Sequence, residues 1–210
     1  NPLDTKHKSL MDQISKLLFL IANSLLIPDI LFLILLFLRS LMLVGSFYNA
    51  FMQRRHTTRL IGDVRSLTPE TLAELQARLP KTRRSAFVEH LDDLLQRQGL
   101  TEDYVNYQLS SYEHVAEKDL TLSKLLTKIG PVLGLVGTLI AMSPALVGLS
   151  SGDIAGMAYN MQVVFATTVV GLVISLVGLI TLQYKQRWYT RDVSILEYVS
   201  SLLLEAQAKK

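Results

Sequence analysis

Cysteine is absent from this 210-residue chain, which removes disulfides, thiolate metal sites and thiol nucleophiles and leaves the redox compartment open. Charge is scarce: 19% of residues are Asp, Glu, Lys or Arg, whereas half are apolar. That balance is high in apolar residues for a soluble domain and points to the membrane class. The scarcity is also local. Residues 129–152 and 154–184 contain no Asp, Glu, Lys or Arg, and Asp153 alone separates them. No Gly-rich phosphate loop, catalytic triad or metal-ligand spacing occurs, so enzymatic chemistry is not expected and no cofactor is called for. The net charge of +3 gives no reason to expect nucleic acid as a partner.

What is present is long apolar runs. A helix crosses the hydrocarbon core with roughly 20 consecutive, mainly apolar residues. Segments 129–150 and 154–184 are read as the second and third transmembrane helices, joined by a short polar turn at Asp153. A first transmembrane helix is read over 27–51, although Arg39 sits near its middle. A charge there costs about 3 kcal/mol on insertion scales, which the surrounding Leu, Ile and Phe offset. Residues 1–26 are read as an amphipathic segment on the outer surface, 52–128 as a cytoplasmic helical insert, and 185–210 as a cytoplasmic C-terminal helix. Lys and Arg set this orientation: "QRRHTTR" follows the first span, Lys118, Lys124 and Lys128 precede the second, and Lys185, Arg187 and Arg191 follow the third. Lys6, Lys8 and Lys16 lie on the opposite side in this scheme.

Within the insert, "TPETLAELQARLP" and "SAFVEHLDDLLQRQGL" carry helix start and stop signals. The second has apolar residues at 87, 88, 91, 94 and 95, a helical stripe. Thr101 caps a further helix that runs on towards Gly130-Pro131. The fold class expected is all-α, three transmembrane helices with long cytoplasmic helical extensions.

The second and third spans are unusually rich in small and hydroxyl-bearing residues. Gly130, Gly134, Gly137, Ala141 and Gly148 in one, and Ala166, Gly171, Ser175 and Gly178 in the other, let helix backbones approach in lipid. Two readings stand for the hydroxyls. Ser and Thr can bond back to their own helix and serve packing alone. Alternatively Thr138, Thr168 and Ser175, flanked by Thr167, line a polar path, because Thr168, Gly171, Ser175 and Gly178 recur three or four apart on one helix face. The spans are read as free of Asp, Glu, His and Lys. On that reading any proton-carrying acid comes from another subunit.

The motifs "GPVLGLVGTLIAM" and "MQVVFATTVVGLVISL" resemble the signature of the MotA/TolQ/ExbB proton-channel family, Pro-x-x-Gly-Leu-x-Gly-Thr followed by Ala-Thr-x-x-Gly-Leu. Three spans look like the ExbB/TolQ branch. The resemblance implies a pentameric ring around the single transmembrane helices of two ExbD/TolR-like subunits, each bearing an Asp that exchanges protons against ring threonines. By position Thr138 matches the second-helix Thr and Thr168 the third-helix Thr, with Thr167 one residue away. It further implies a prokaryotic inner-membrane location and an envelope partner that receives the work. The ion implied is H⁺, with Na⁺ the alternative. Two positions depart from the branch: Val163 stands where a Glu is usual, and Val177 where a Pro is usual. A different proton entry, a different sub-family or loss of conduction follows.

Arg39 is read either as a partner for a carboxylate or lipid phosphate, or as a snorkelling side chain. Asp153 is read as a turn or cap residue, His56, His90 and His114 as surface residues, and Tyr184, Trp188 and Tyr189 as an interfacial aromatic belt.

Overall fold

The computed structural model describes residues 2–61, 68, 71–79, 85–97 and 99–208. Five helices follow in chain order: α1 (Pro2–Ile61), α2 (Thr71–Arg78), α3 (Ala86–Gln96), α4 (Glu102–Ser151) and α5 (Ile154–Ala208), with no strand among the described residues. The protein is therefore an all-α membrane protein, with α1, α4 and α5 each long and apolar enough to cross a bilayer.

Local signals account for the element ends. Ser85 caps α3, its hydroxyl accepting from Val88 N–H, and Thr101 caps α4 by accepting from Tyr104 N–H at 3.4 Å. Between α4 and α5, Gly152 takes a left-handed φ of 76° that only glycine adopts cheaply, and Asp153 accepts from Gly156 N–H at 2.9 Å. Asp153 is thus the α5 cap. The helix start read at Thr68 and Pro69 is described only in part; Thr68 accepts from the backbones of Thr71 and Leu72, and Pro69, Glu70 and Pro80 lie outside the described residues.

The segment 1–26, read as a separate surface stretch, runs into the first span without a break. The helix α1 is continuous through Pro28, and its candidate span covers Gln13–Arg55. Helices α4 and α5 are likewise unbroken from polar into apolar sequence, α4 passing through Pro131 and Pro144.

The chain divides into two compact units. The first comprises Asn1–Met42 and Leu125–Leu179. Here α4 and α5 meet backbone to backbone. A methyl placed on Gly130 would lie 2.7 Å from the Gly171 carbonyl, and one on Gly171 would lie 2.9 Å from the Gly134 Cα. Gly178 is equally confined, since a methyl placed on it would lie 2.7 Å from Thr127 N. Elsewhere the unit is apolar outward: Leu135, Leu139, Phe165 and Leu172 are all more than half exposed. Such a surface suits lipid or another apolar helix.

The second unit comprises Leu43–Lys124 and Ile180–Lys210. Its core is conventional, with Leu72, Phe87, Val88, Leu91, Leu94, Tyr112, Leu196 and Val199 buried together. Charged groups inside it are paired. Arg54 bridges to Asp192 at 2.6 Å, Tyr112 donates to the same carboxylate at 2.5 Å, and Lys185 meets Asp119 at 2.8 Å, to which Tyr189 also donates. The guanidinium of Arg54 stands over both Trp188 and Tyr189. Trp188 stacks on Phe47 at 5.2 Å, so the residues read as an aromatic belt pack within this unit instead of only facing lipid. His90 is not a surface residue as read: it is half-buried, edge-on to Tyr112, with Nδ1 at 2.8 Å from the Ala86 carbonyl. His114 is exposed, and the His56 side chain lies outside the described residues.

Gly171→Leu is expected to push α4 and α5 apart at a site with no slack. Overpacking costs typically 1–3 kcal/mol, and a backbone contact leaves no side chain to yield. Melting in detergent should show a lower Tm and a loss of the monodisperse species. In the second unit, Arg54→Ala leaves Asp192 buried without its cation and should cost about 3 kcal/mol, against about 1 kcal/mol for Tyr112→Phe. Burial, reinforced by the Asp192 charge and hydrogen bond, raises the Tyr112 phenol, and burial with the Asp119 hydrogen bond raises Tyr189. Both phenols therefore add stability that is whole below about pH 10 and lost as pH climbs through their folded values. Alkaline melting curves should fall above that pH, and the fall should flatten in Tyr112→Phe/Tyr189→Phe.

Candidate functional site

Along α1 in the first unit, the inward residues Leu26, Asp29, Leu33, Leu36 and Ser40 recur at helical spacing. Asp29 is one of them. It is 6% exposed, and neither carboxylate oxygen has a hydrogen-bond partner. This corrects the reading that the spans lack an acid: the carboxyl lies inside 27–51, within the candidate span of α1. The signal was present as "IPDILFL", an Asp two residues into the apolar run and directly after Pro28.

Its surroundings come from the other two long helices. A methyl on Gly137 of α4 would lie 2.8 Å from Asp29 Oδ2 and 2.9 Å from Thr167 Cβ of α5. The bare Cα of Gly137 thus opens the space into which the carboxyl fits, and Thr167 borders the same point. Thr167 is buried, and its hydroxyl donates to its own helix, towards the carbonyls of Val163 at 3.0 Å and Val164 at 3.1 Å. Its lone pairs stay free to accept.

The remaining predicted residues fall nearby but are not gathered into one cluster. Thr138 and Thr168 are half-buried, and each hydroxyl donates to its own helix, Thr138 to Leu135 O at 2.6 Å and Thr168 to Val164 O at 3.1 Å. The α5 face carrying Thr168, Gly171, Ser175 and Gly178 is turned to α4. Ser175 has a specific task there. Pro131 has no N–H, so the carbonyl of Thr127 four residues earlier loses its helical donor. The Ser175 hydroxyl supplies it, donating to Thr127 O at 3.0 Å. Gly134 and Gly137 lie on the α4 face that receives α5, with Thr167 O 3.0 Å from a methyl on Gly134. Arg39 is exposed, ten residues beyond Asp29 on α1.

Chemically, this arrangement offers one ionisable group in an apolar setting, bordered by the Cβ and methyl of Thr167. Segments 130–145 of α4 and 160–175 of α5 contain no Asp, Glu, His, Lys or Arg to balance it.

The model of the MotA/TolQ/ExbB proton channel family matches residues 77–198. The match takes in α3, α4 and most of α5, and leaves out α1 with Asp29 and Arg39. No curated protein and no solved structure matches the chain.

If the Ser175 hydroxyl serves the carbonyl that Pro131 orphans, the two residues are energetically coupled. Ser175→Ala should cost about 1 kcal/mol in the native chain. In a Pro131→Ala background, where the helix recovers its own donor, the same change should cost less, with a coupling of at least about 0.5 kcal/mol. A double-mutant cycle of thermal melts reads this out, and additive effects would contradict it.

Proposed function

The chain belongs to the MotA/TolQ/ExbB proton channel family, and from that premise we propose that it is the ring subunit of a proton-motive-force-driven channel. In this reading five copies surround two ExbD/TolR-like single-span partners, whose transmembrane Asp exchanges protons against Thr138 and Thr168. The ring sits in a prokaryotic inner membrane with its N-terminus outside and its C-terminus in the cytoplasm. The work goes to an envelope protein.

The family match across α3, α4 and α5 carries this reading. Two further features support it. Thr138 and Thr168 are neither fully buried nor bonded outside their own helices, so their lone pairs are available to a visiting carboxyl. The outward apolar surface of the first unit leaves room for neighbouring apolar helices as well as lipid. The orientation follows the Lys and Arg on either side of the spans.

One observation favours a second reading, a non-conducting membrane scaffold or transporter subunit. The hydroxyls of Thr138, Thr167, Thr168 and Ser175 all donate within the chain, as packing residues do. Thr168→Val separates the two. With the partner present, the ring reading expects proton flux into vesicles to fall by at least about tenfold, while the assembly stays intact by size-exclusion chromatography. Normal flux in Thr168→Val would remove the pore from this position, and absence of flux in the unmodified complex would favour the scaffold.

A further inference from the structure

Asp29 is a buried group that the ring mechanism above does not use and that the family match does not reach. Its burial runs against elementary physics. An ionised carboxylate without a partner costs several kcal/mol inside a protein, and both Asp29 oxygens lack one. A chain under no functional constraint would place Leu here, as at Leu26 and Leu33 on the same face. Ionisable residues inside membrane spans are retained where they bind or move something.

What it binds follows from the donor set. A metal cation needs several oxygen ligands. Neither Asp29 oxygen meets a hydrogen-bonding group, and the point beside Gly137 that Oδ2 approaches is bordered by the Cβ and methyl of Thr167. The α4 and α5 segments facing it carry no second carboxylate, no His and no cationic side chain. On α1 the nearest charged side chains in the sequence are Lys16 and Arg39, thirteen residues before and ten residues after Asp29. A proton needs only one oxygen, and taking it up removes the charge that this apolar recess leaves unpaired. We propose that Asp29, in the recess opened by Gly137 and bordered by Thr167, is a proton-binding site in the membrane wall of this subunit itself. Binding forms one O–H bond on a carboxylate oxygen and cancels its charge; release reverses both. Use of this site in transport rests on the ring reading, whereas its occupancy by a proton does not.

The test is labelling of the full chain in membrane vesicles with dicyclohexylcarbodiimide, read by peptide mass spectrometry. This lipid-soluble reagent takes the carboxyl proton onto nitrogen, adds the carboxylate oxygen to its central carbon and rearranges to an N-acylurea, so the whole reagent mass is gained. The adduct is expected on Asp29 and not on the exposed turn residue Asp153. Labelling should fall as pH rises and be the same in sodium and potassium media at fixed pH. Asp29→Asn should lose the adduct yet melt within a few degrees of the native chain, because no bond is removed. With the partner present, the same variant should lose on the order of a hundredfold in proton flux.

An unlabelled Asp29 in the folded chain would overturn the proposal. So would protection by sodium at fixed pH, which would mark a cation site, or a large loss of stability in Asp29→Asn, which would mark a structural role. A labelled, sodium-insensitive Asp29 in a chain whose unmodified complex carries no flux would uphold the site while sinking the ring reading. The two failures are thereby distinguishable.

Discussion

The contact on which the membrane unit depends is that between the α4 and α5 backbones at Gly130, Gly134 and Gly171. In lipid no hydrophobic drive brings helices together, so van der Waals contact and interhelical hydrogen bonds must hold them. Contact at this distance leaves no room for a single Cβ. Other features of the unit follow from it. Ser175 reaches the Thr127 carbonyl because the helices are this close, and that bond repairs the gap Pro131 makes in α4. Gly137, on the same approach, leaves the recess that Asp29 fills beside Thr167. Small residues, a proline, a hydroxyl and an acid thus form one mechanical arrangement.

The two units solve opposite solvent problems with the same long helices. In the first, apolar residues turn outward, hydroxyls bond to backbone carbonyls, and among the described residues the Asp29 carboxylate is buried without a hydrogen-bond partner. In the second, Leu, Val and Phe side chains are buried, and the buried charges of Asp192 and Lys185 are paired with Arg54 and Asp119. Burial works against the Arg54 charge, but the hydrogen bond and attraction of Asp192 outweigh it, and its pKa is raised. Tyr112 then shares the same carboxylate, so three groups hold one another in place. A paired buried charge is a weak source of net stability but a strong penalty on any arrangement that separates it. Such a network specifies how the polar helix ends pack, where apolar contacts alone would tolerate slippage.

Much of this was legible in the sequence. The charge-free runs at 129–152 and 154–184 placed two membrane helices. The caps at Thr101 and Asp153 and the stripe at 87, 88, 91 and 94 appear at the residues that carry the signals. Glycine spacing pointed to close helix approach. Three features were not read. The continuity of α1 through Pro28 was hidden because a proline is tolerated in a membrane helix when tertiary packing holds it, whereas local rules mark it as a boundary. The partners of Tyr189, Trp188 and Arg54 are distant in sequence, so no periodicity reports them. Asp29 lay in plain view, yet a single acid in a long apolar run is easily assigned to the span's edge. Only the packing of α1 shows that it faces inward, beside Gly137 and Thr167.

Membership of a proton-channel family fixes the class of the molecule, and its assembly decides whether the site operates as a channel. Native mass spectrometry of the complex extracted from membranes, with a single-span ExbD/TolR-like partner co-expressed, addresses this most directly. The account predicts a closed ring of five chains retaining two copies of the smaller subunit. A monomer, a dimer or an assembly without the partner, stable across several detergents, would contradict it.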